Sequence, residues 1–528
     1  MRFSRLACLL FALIAGAPSG AHADVVGRAL KAAEQQPGGG AAWQTPDLIE
    51  WAGEPRAITL PELLQITVRQ APNLAAAQID IAVAEARIEQ TWARNDWQVQ
   101  AQLKGVRTGE VPQGTTTINN DTQIGGTFDL SRALPTGGTV DLHAQTGYDR
   151  LNYTVNLMVG GQSFAQSGTS TTWTNDISGS ITQPLLRKRG RRLFEANEIK
   201  ATLARDVSVL ARRLAAIQTV QTVISAYWDL VLAEQTVAIT QGSLDLARER
   251  LRVTQIGADG GKVPRSEIPA VLQIIATRQE DVLSGELGVL NASIAMRRAA
   301  GMPIGPGELG LRVATDLDTR DQPINLGELV ERAFAASPEL AQLAKQDASA
   351  TIDVEVAEDG LLPQLDAALT LGPTGTGSSF SDSAKDLATF KSIAITGTLT
   401  FTQSLGRHDA LGRTREQREL KRKLTVNAAD LRAQLAQTMS RSVAQLELAR
   451  RRVTLSQRAI DLANENIKIE TDRFNLGKST NFDVLNRLEE LRQAELRKAQ
   501  ALIDWRKAEV VIQSLTGDLL PMYGISVD

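Results

Sequence analysis

The sequence predicts an elongated α+β chain built as two copies of one unit, in which very long helices alternate with strands that are apolar on one face and polar on the other. Three observations predict it. From Arg191 to about Ile256 there is no proline and one glycine, Gly242, so a helix can run about 65 residues, or roughly 100 Å at 1.5 Å per residue, which no compact domain holds. Trp97, Val99, Ala101 and Leu103 alternate with Gln98, Gln100, Gln102 and Lys104, the period of a strand lying between an apolar and a watery surrounding. Finally, the segment Ile58 to Leu63 recurs as Ile324 to Leu329, and the same spacing carries Pro72 onto Pro338, Leu74 onto Leu340 and Leu103 onto Leu369, which is a tandem duplication.

The chain opens with a secretory signal over residues 1–23: Arg2 and Arg5 form a basic n-region, Leu6 to Ala15 an apolar core, and Ala21 to Ala23 a small-residue cleavage site. The mature chain is expected to start at Asp24 and to carry no lipid, because Cys8, the only cysteine, lies inside the apolar core. The 57 basic and 60 acidic residues are scattered rather than blocked, so nucleic acid is not an expected partner. After Ala23 no run approaches the ~20 apolar residues of a membrane helix, which leaves a periplasmic, extracellular or β-barrel chain.

Residues 24–57 form an N-terminal extension, 58–301 the first repeat, 302–323 a connector rich in Gly, Pro and Asp, 324–517 the second repeat, and 518–528 a tail. Each repeat starts with a helix, Leu60 to Arg94 and Leu326 to Asp359, followed by a polar segment with alternation. Val140, Leu142, Ala144 and Tyr148 alternate with Asp141, His143 and Gln145, and Trp173, Ile177 and Ile181 with Thr174, Ser178 and Thr182. Next comes the long helix. In the first copy Leu210, Leu214, Ile217, Ile224, Trp228 and Val231 follow coiled-coil spacing with Gln221 in the remaining seam position; the second copy has its counterpart from about Leu411 to Asn475. Shorter helices return, Pro264 to Ala299 and Phe482 to Thr516. Two short helices end to end match one long one, so stacking the helix before Gly301 under the one after Ile324 gives a second strut, with the connector as a belt halfway along the rod. The first copy carries about fifty extra residues between Leu103 and Ile177, in which Gln123 to Leu130 and Thr139 to Tyr148, joined by the turn Ala133 to Gly138, read as one additional hairpin. It either enters the sheet, giving six strands per chain, or folds outside it as a flap.

The paired openings Gln70 to Leu74 and Ala336 to Leu340, the strand entry Leu362 to Leu365, the strand exit Thr182 to Leu186 and the helical turn Arg473 to Leu485, in this order twice over, resemble the TolC family of outer-membrane channels across nearly all of the mature chain. The resemblance implies a homotrimer whose strands form one transmembrane β-barrel and whose coiled-coil helices continue it as an α-helical barrel across the periplasm. It also implies docking on a periplasmic adaptor and an inner-membrane transporter, with outer-membrane lipid around the barrel. Pro184 reads as the strand-to-helix junction, ending the strand and suiting the first helical turn. By the family's pattern, Asp483 and Glu267, each six residues after a tip glycine, narrow and charge the periplasmic entrance, while the second acidic position is Asn486. The family's tyrosine and arginine latch falls on Phe474 and Ser479, which lack the hydroxyl and the charge, so the closed tip needs other contacts. Gly257, Gly261 and Gly477 let the chain reverse, and Lys262, Lys478 and Ser479 lie where the tip would meet the adaptor. Asp483 also reads as a charge favourable at a helix start.

The mature chain has two histidines, His143 and His408, and no metal-ligand spacing, phosphate loop or nucleophile elbow. No cofactor and no enzymatic activity are expected. The reading is a passive export duct, for efflux or type I secretion, driven by a partner transporter; the alternative is a periplasmic coiled-coil scaffold without a pore.

Overall fold

The computed structural model describes residues 56–113, 115–160, 162–305, 310–313 and 325–526. The signal, nearly all of the N-terminal extension and most of the connector lie outside the described residues. In chain order the elements are β1 (Arg56–Ile58), α1 (Leu60–Gln70), α2 (Pro72–Trp92), β2 (Gln98–Thr108), β3 (Val111–Gln113), β4 (Thr116–Ala133), β5 (Thr139–Val159), β6 (Gln162–Pro184), the short α3 (Arg191–Phe194) and α4 (Ala196–Asp259). They continue as α5 (Glu267–Ala300), β7 (Leu311–Val313), α6 (Leu326–Ala336), α7 (Pro338–Asp359), β8 (Gln364–Gly377), α8 (Phe380–Ala388), β9 (Ile393–Thr402), α9 (His408–Asn475), α10 (Asn481–Thr516) and α11 (Leu519–Met522).

The two long helices form as expected, with 64 residues in α4 and 68 in α9. Each starting helix is broken in two. Ala71 and Ser337 precede prolines and sit at extended backbone angles, because a proline ring excludes the helical conformation from the residue before it. The stacking also differs from the expectation. A Cβ on Gly301 would lie 2.5 Å from the Gln70 carbonyl oxygen, and one on Gly517 would lie 2.9 Å from the Ala336 Cβ. α5 therefore ends against the break between α1 and α2, and α10 against that between α6 and α7, so that α5 stacks under α2 and α10 under α7 rather than the helix before Gly301 under the one after Ile324.

Four struts result, in the lateral order α2/α5, α4, α7/α10, α9. Lys200 and Arg192 pair with Asp353 and Glu355 of α7, Lys507 of α10 reaches Asp229 of α4, and Arg418 and Arg452 of α9 pair with Glu358 of α7 and Asp504 of α10. A helix with neighbours on both sides needs two apolar seams. Accordingly α4 buries Ile217, Ile224, Trp228 and Val231 of the expected seam and, beside them, Val220, Val223, Tyr227 and Leu230. At an edge, α9 buries few apolar residues, among them Leu435, Met439 and Ala449, and leaves Leu448, Leu455 and Leu462 about 60% exposed. The main apolar core wraps the middle of α4, where Leu63, Leu64, Met296, Ile503 and Leu519 meet it together with Ile58 and Leu311. The last two belong to β1 and β7, which pair in parallel, so the described end of the connector lies against mid-rod.

All six long strands form one sheet in the order β2-β4-β5-β6-β8-β9, antiparallel throughout. The extra hairpin is in the sheet: Gln123 pairs with Val106, and Tyr148 with Trp173. One face carries Val99, Leu103, Phe128, Leu130, Leu142, Ile177, Leu369, Ile395, Leu399 and Phe401, while the other carries Gln100, Thr127, His143, Ser178, Thr370 and Thr398, as the registers require. The alternation extends beyond the short runs legible in the sequence, since β5 and β6 run to 21 and 23 residues. The unforeseen α8 folds back over the apolar face at the end of the sheet far from the helices. Asn175 Nδ2 donates to Ser383 Oγ (2.9 Å), Ser383 Oγ donates to the Gly375 carbonyl (2.8 Å), and the Phe380 ring stands edge-on to Trp173.

Pro184 ends β6, but α3 begins only at Arg191, so the proline closes the strand and does not start the helix. The turn Leu134 to Gly138 of the inserted hairpin fills the gap. Thr136 donates to Gln183 Oε1 (2.7 Å), and its carbonyl accepts from Gly190 N (3.0 Å). Gly137 has φ +91°, and a Cβ there would lie 2.2 Å from the Lys188 carbonyl oxygen. The hairpin is thereby locked to the sheet-to-helix junction, and Gly137→Ala should destabilise the junction by about 1–3 kcal/mol. Faster proteolysis within Leu185 to Gly190 in the variant, with helix content unchanged, is the expected readout.

Candidate functional site at the helical tips

The ends of the struts opposite the sheet are two hairpins, α4 to α5 and α9 to α10. Each reverses through a glycine in the left-handed region, Gly261 at φ +73° and Gly477 at φ +72°, where side chains are disfavoured. The same closing bonds follow: Lys262 N donates to the Gly257 carbonyl (2.8 Å), and Lys478 N to the Arg473 carbonyl (2.9 Å), satisfying helix-end carbonyls as a Schellman turn does. Gly257 is constrained from outside, since a Cβ there would lie 2.9 Å from Val263. Lys262 and Lys478 are exposed, as are the apolar Ile256, Leu476 and Phe482 around them, each over 60%. The charged members were legible in sequence; the apolar ones were not distinguishable from core positions.

Asp483 occupies the third position of α10 in a capping box with Thr480. Its Oδ2 accepts from Thr480 N (3.0 Å), Thr480 Oγ1 (2.7 Å) and Ser479 Oγ (3.3 Å), while its own N–H donates to Thr480 Oγ1 (3.3 Å). These bonds, first those from Thr480, hold the carboxyl below the usual range, so it stays ionised. Asn486, one turn on, is exposed. Glu267, at the start of α5, is half-buried and acts electrostatically on Arg250. Ser479 turns inward, donating to the buried Glu470 of α9.

Arg250 is the residue that sequence reasoning missed. It is 7% exposed on α4, its Nε donates to Asn481 Oδ1 of α10 (2.7 Å), and its guanidinium lies 3.8 Å from the centre of the Phe474 ring of α9. Thr254 Oγ1 reaches the same Asn481 oxygen at 3.2 Å. Phe474, where the sequence resemblance places a tyrosine, thus serves as the face of a cation–π contact that ties one hairpin to the other. A second tie lies one to two turns away: Arg278 of α5 reaches Glu489 of α10 and Asp281 (3.0 Å), while Arg492 holds Glu489 at 2.7 Å. Burial pushes the Glu489 carboxyl up, but hydrogen bonds from Arg492 and Gln493 and the charges of Arg492 and Arg278 outweigh it and bring it to about 2. Among the described residues no group of three or more His, Cys, Asp or Glu side chains could hold a metal ion, and no helix is long and apolar enough to cross a membrane.

The family model of outer membrane efflux proteins matches residues 329–518. No curated protein matches the sequence. Among solved structures, the Campylobacter jejuni CmeC outer membrane channel superimposes with a TM-score of 0.62 at 12% identity, covering 87% of this chain and 86% of that one. The outer membrane protein VceC of Vibrio cholerae gives 0.59 at 12%, over 89% and 97%, and the open state of the Neisseria gonorrhoeae MtrE outer membrane channel gives 0.60 at 14%, over 87% and 89%. The resemblance read from the sequence therefore holds: residues 329–518 match the outer membrane efflux protein model, and the chain has the α+β, mostly helical fold of the outer-membrane channels.

Arg250→Ala removes a charged hydrogen bond and a ring contact, and should cost about 2–4 kcal/mol locally. It should accelerate amide exchange in both hairpins while leaving mid-rod segments unchanged. The Glu489 tie has a pH window. A carboxyl held at about 2 instead of the usual 4.5 contributes stability that is complete above about 4.5 and is lost as pH falls toward 2. Exchange at Leu485 to Arg492 should rise over that interval, and Glu489→Gln should flatten the profile.

Proposed function

We propose that three copies of this chain close into one export duct, an eighteen-stranded β-barrel in the outer membrane continued by a twelve-strut helical barrel, through which a partner transporter expels its cargo. The observation that carries this reading is the pair of open edges. Strands β2 and β9 end the sheet unpaired, with Leu103, Ile395 and Leu399 each at least 67% exposed, and α9 and α2/α5 end the helix layer with Leu455, Leu462 and Ile79 at least 61% exposed. An even number of antiparallel strands leaves β9 running opposite to β2, so β9 of one copy can pair with β2 of the next in the same sense as every other pair. Lipid tolerates no unpaired edge.

In this duct the apolar face meets lipid and the polar face the lumen. Residues 1–23 are removed on export, 58–301 and 324–517 act as two repeats of one ancestral unit, and 302–323 belts the rod. Lys262 and Lys478 with Ile256 and Leu476 form the docking surface for a periplasmic adaptor, which joins the duct to an inner-membrane transporter, while the inward-turned Ser479 braces the turn beneath it. Asp483 charges the periplasmic entrance, with Asn486 behind it, and Glu267 is the weaker contributor because Arg250 faces it. Pro184 fixes where barrel gives way to rod.

Fractionation should find the chain in the outer membrane as a trimer that survives mild detergent; a soluble monomer would return it to the scaffold alternative. In planar bilayers Asp483→Ala should lower cation selectivity, since carboxylates ringing a narrow aqueous opening concentrate cations, and Asn486→Asp should raise it. An unchanged reversal potential under a salt gradient in both variants removes Asp483 from the entrance.

A further inference from the structure

The charged residues of the strands are segregated by face. By the pairing registers, Asp121, Asp129, Asp141, Asp149, Asp176 and Asp366 all lie on the polar face, with Lys104 and His143, whereas Arg107, Arg132 and Arg150 lie on the apolar face, which carries no carboxylate. On the apolar face the arginines stand at its two rims. Arg132 is at the helix end, over the Trp97 ring. At the far end, Arg107, Thr122, Arg150 and Thr171 form one cross-strand row. It lies directly beyond a row containing Ile124, Tyr148 and Trp173, in which the Tyr148 and Trp173 rings meet at a tilt of 52° with centroids 4.9 Å apart. The next row outward, Asn120, Asn152 and Thr169, is linked by hydrogen bonds of 2.8 Å. Arg107 and Arg150 are exposed, and neither has an ion pair among the described residues.

We propose that Arg107 and Arg150, with Thr122 and Thr171 between and beside them, form a site for the phosphate groups of the glycolipids in the outer leaflet. This rests on the barrel reading given above. Height supports it. From the inner rim to the arginine row is ten residues on both strands, Trp97 to Arg107 and Val140 to Arg150, or about 34 Å along the strand, and at a tilt of about 40° this is ~26 Å along the membrane normal, the height of a barrel's apolar band. The arginines thus emerge where hydrocarbon ends, where an arginine on the lipid face costs ~0–1 kcal/mol rather than the ~2–4 of the midplane. Aromatic rings beneath them mark the same boundary. Arginines two strands apart are about 10 Å from each other, and the planar guanidinium binds phosphate through two parallel hydrogen bonds. The strands put a single sign of charge on this face, with every strand carboxylate on the other and Asp382 and Asp386 of the overlying α8 the carboxylates near it, which gives the strand arginines complementarity for an anionic surface that neutral detergent would not need.

The test uses the full-length trimer purified in neutral detergent and presented with a phosphorylated multi-acyl glycolipid or the same lipid after enzymatic dephosphorylation, with retention read by native mass spectrometry. The wild type should retain the phosphorylated lipid about tenfold more tightly than Arg107→Gln/Arg150→Gln. It should show no such preference for the dephosphorylated lipid, and Arg107→Lys/Arg150→Lys should recover part of the difference. Arg132→Gln, at the opposite rim, should behave as wild type. Equal retention by wild type and the double glutamine variant overturns the site, and displacement by excess inorganic phosphate assigns it to a free anion instead. Fractionation separates the two readings: a wild-type chain absent from the outer membrane overturns the barrel, whereas an outer-membrane trimer with indifferent lipid retention overturns this site alone.

Discussion

The unpaired backbone along β2 and β9 is the constraint from which the rest of the molecule follows. These strands have 11 and 10 residues, and about half of their N–H and C=O groups point away from the sheet. At several kcal/mol for each group left unsatisfied in hydrocarbon, the two edges together would cost on the order of tens of kcal/mol, several times the net stability of an ordinary domain. No side-chain adjustment offsets that; in the proposed duct the neighbouring copy does. In the proposed duct the same demand suits a segment between Leu103 and Ile177 that adds a whole hairpin rather than a single strand. One added strand would leave β9 and β2 parallel at the closure, and the short connections of an antiparallel wall could not be kept.

The helix layer meets a gentler version of this demand. Its mid-rod belt is apolar and continuous, with Tyr227, Leu230, Met296, Leu311 and Leu519 fully buried, whereas the tips are joined across hairpins by Arg250 with Asn481 and by Arg278 with Glu489. Apolar burial is non-directional and survives small shifts, while a charged hydrogen bond is lost within an ångström or two. Half-buried ion pairs add little net stability but define one arrangement and leave an uncompensated charge when broken. The middle of the rod is therefore held by non-directional burial and its ends by directional bonds, and the buried Arg250 Nη2 and Asn481 Nδ2 atoms, which have no hydrogen-bond partner, show that the tip joint is not fully satisfied in this arrangement.

What the sequence made legible follows from which forces are local. The long helices were readable because a run without proline is a local property, and Trp97 to Lys104 or Trp173 to Thr182 were readable as strands because alternation is local too. The break at Pro72 and Pro338 is equally local, since a proline excludes the helical conformation from the residue before it. The seat of the inserted hairpin was not readable: Gln123 to Leu130 has a short apolar face, and only its pairing with β2 shows that it belongs to the sheet. Nor was Arg250, whose partner is 231 positions away and whose aromatic platform, Phe474, registered only as the loss of a hydroxyl. The stacking of α5 on α2 likewise depends on a backbone contact at Gly301 that no residue type announces.

Asp483 shows why a structural and a functional reading of one residue need not compete. Its Oδ2 accepts from Thr480 N, Thr480 Oγ1 and Ser479 Oγ, and hydrogen bonds to an ionised carboxylate favour that form over the protonated acid. The helix start, whose dipole is positive there, acts in the same direction. Capping therefore does not consume the charge; it secures it, and does so below the pH at which an ordinary aspartate would neutralise. A ring of such carboxylates would keep its sign through acidification, while Glu267, drawn toward Arg250, contributes less to the opening. Along the polar face of the sheet six further aspartates stand against one lysine, so both ends of the proposed passage bear the same sign, and any anionic cargo would have to be carried through by the transporter's work rather than drawn in by the duct.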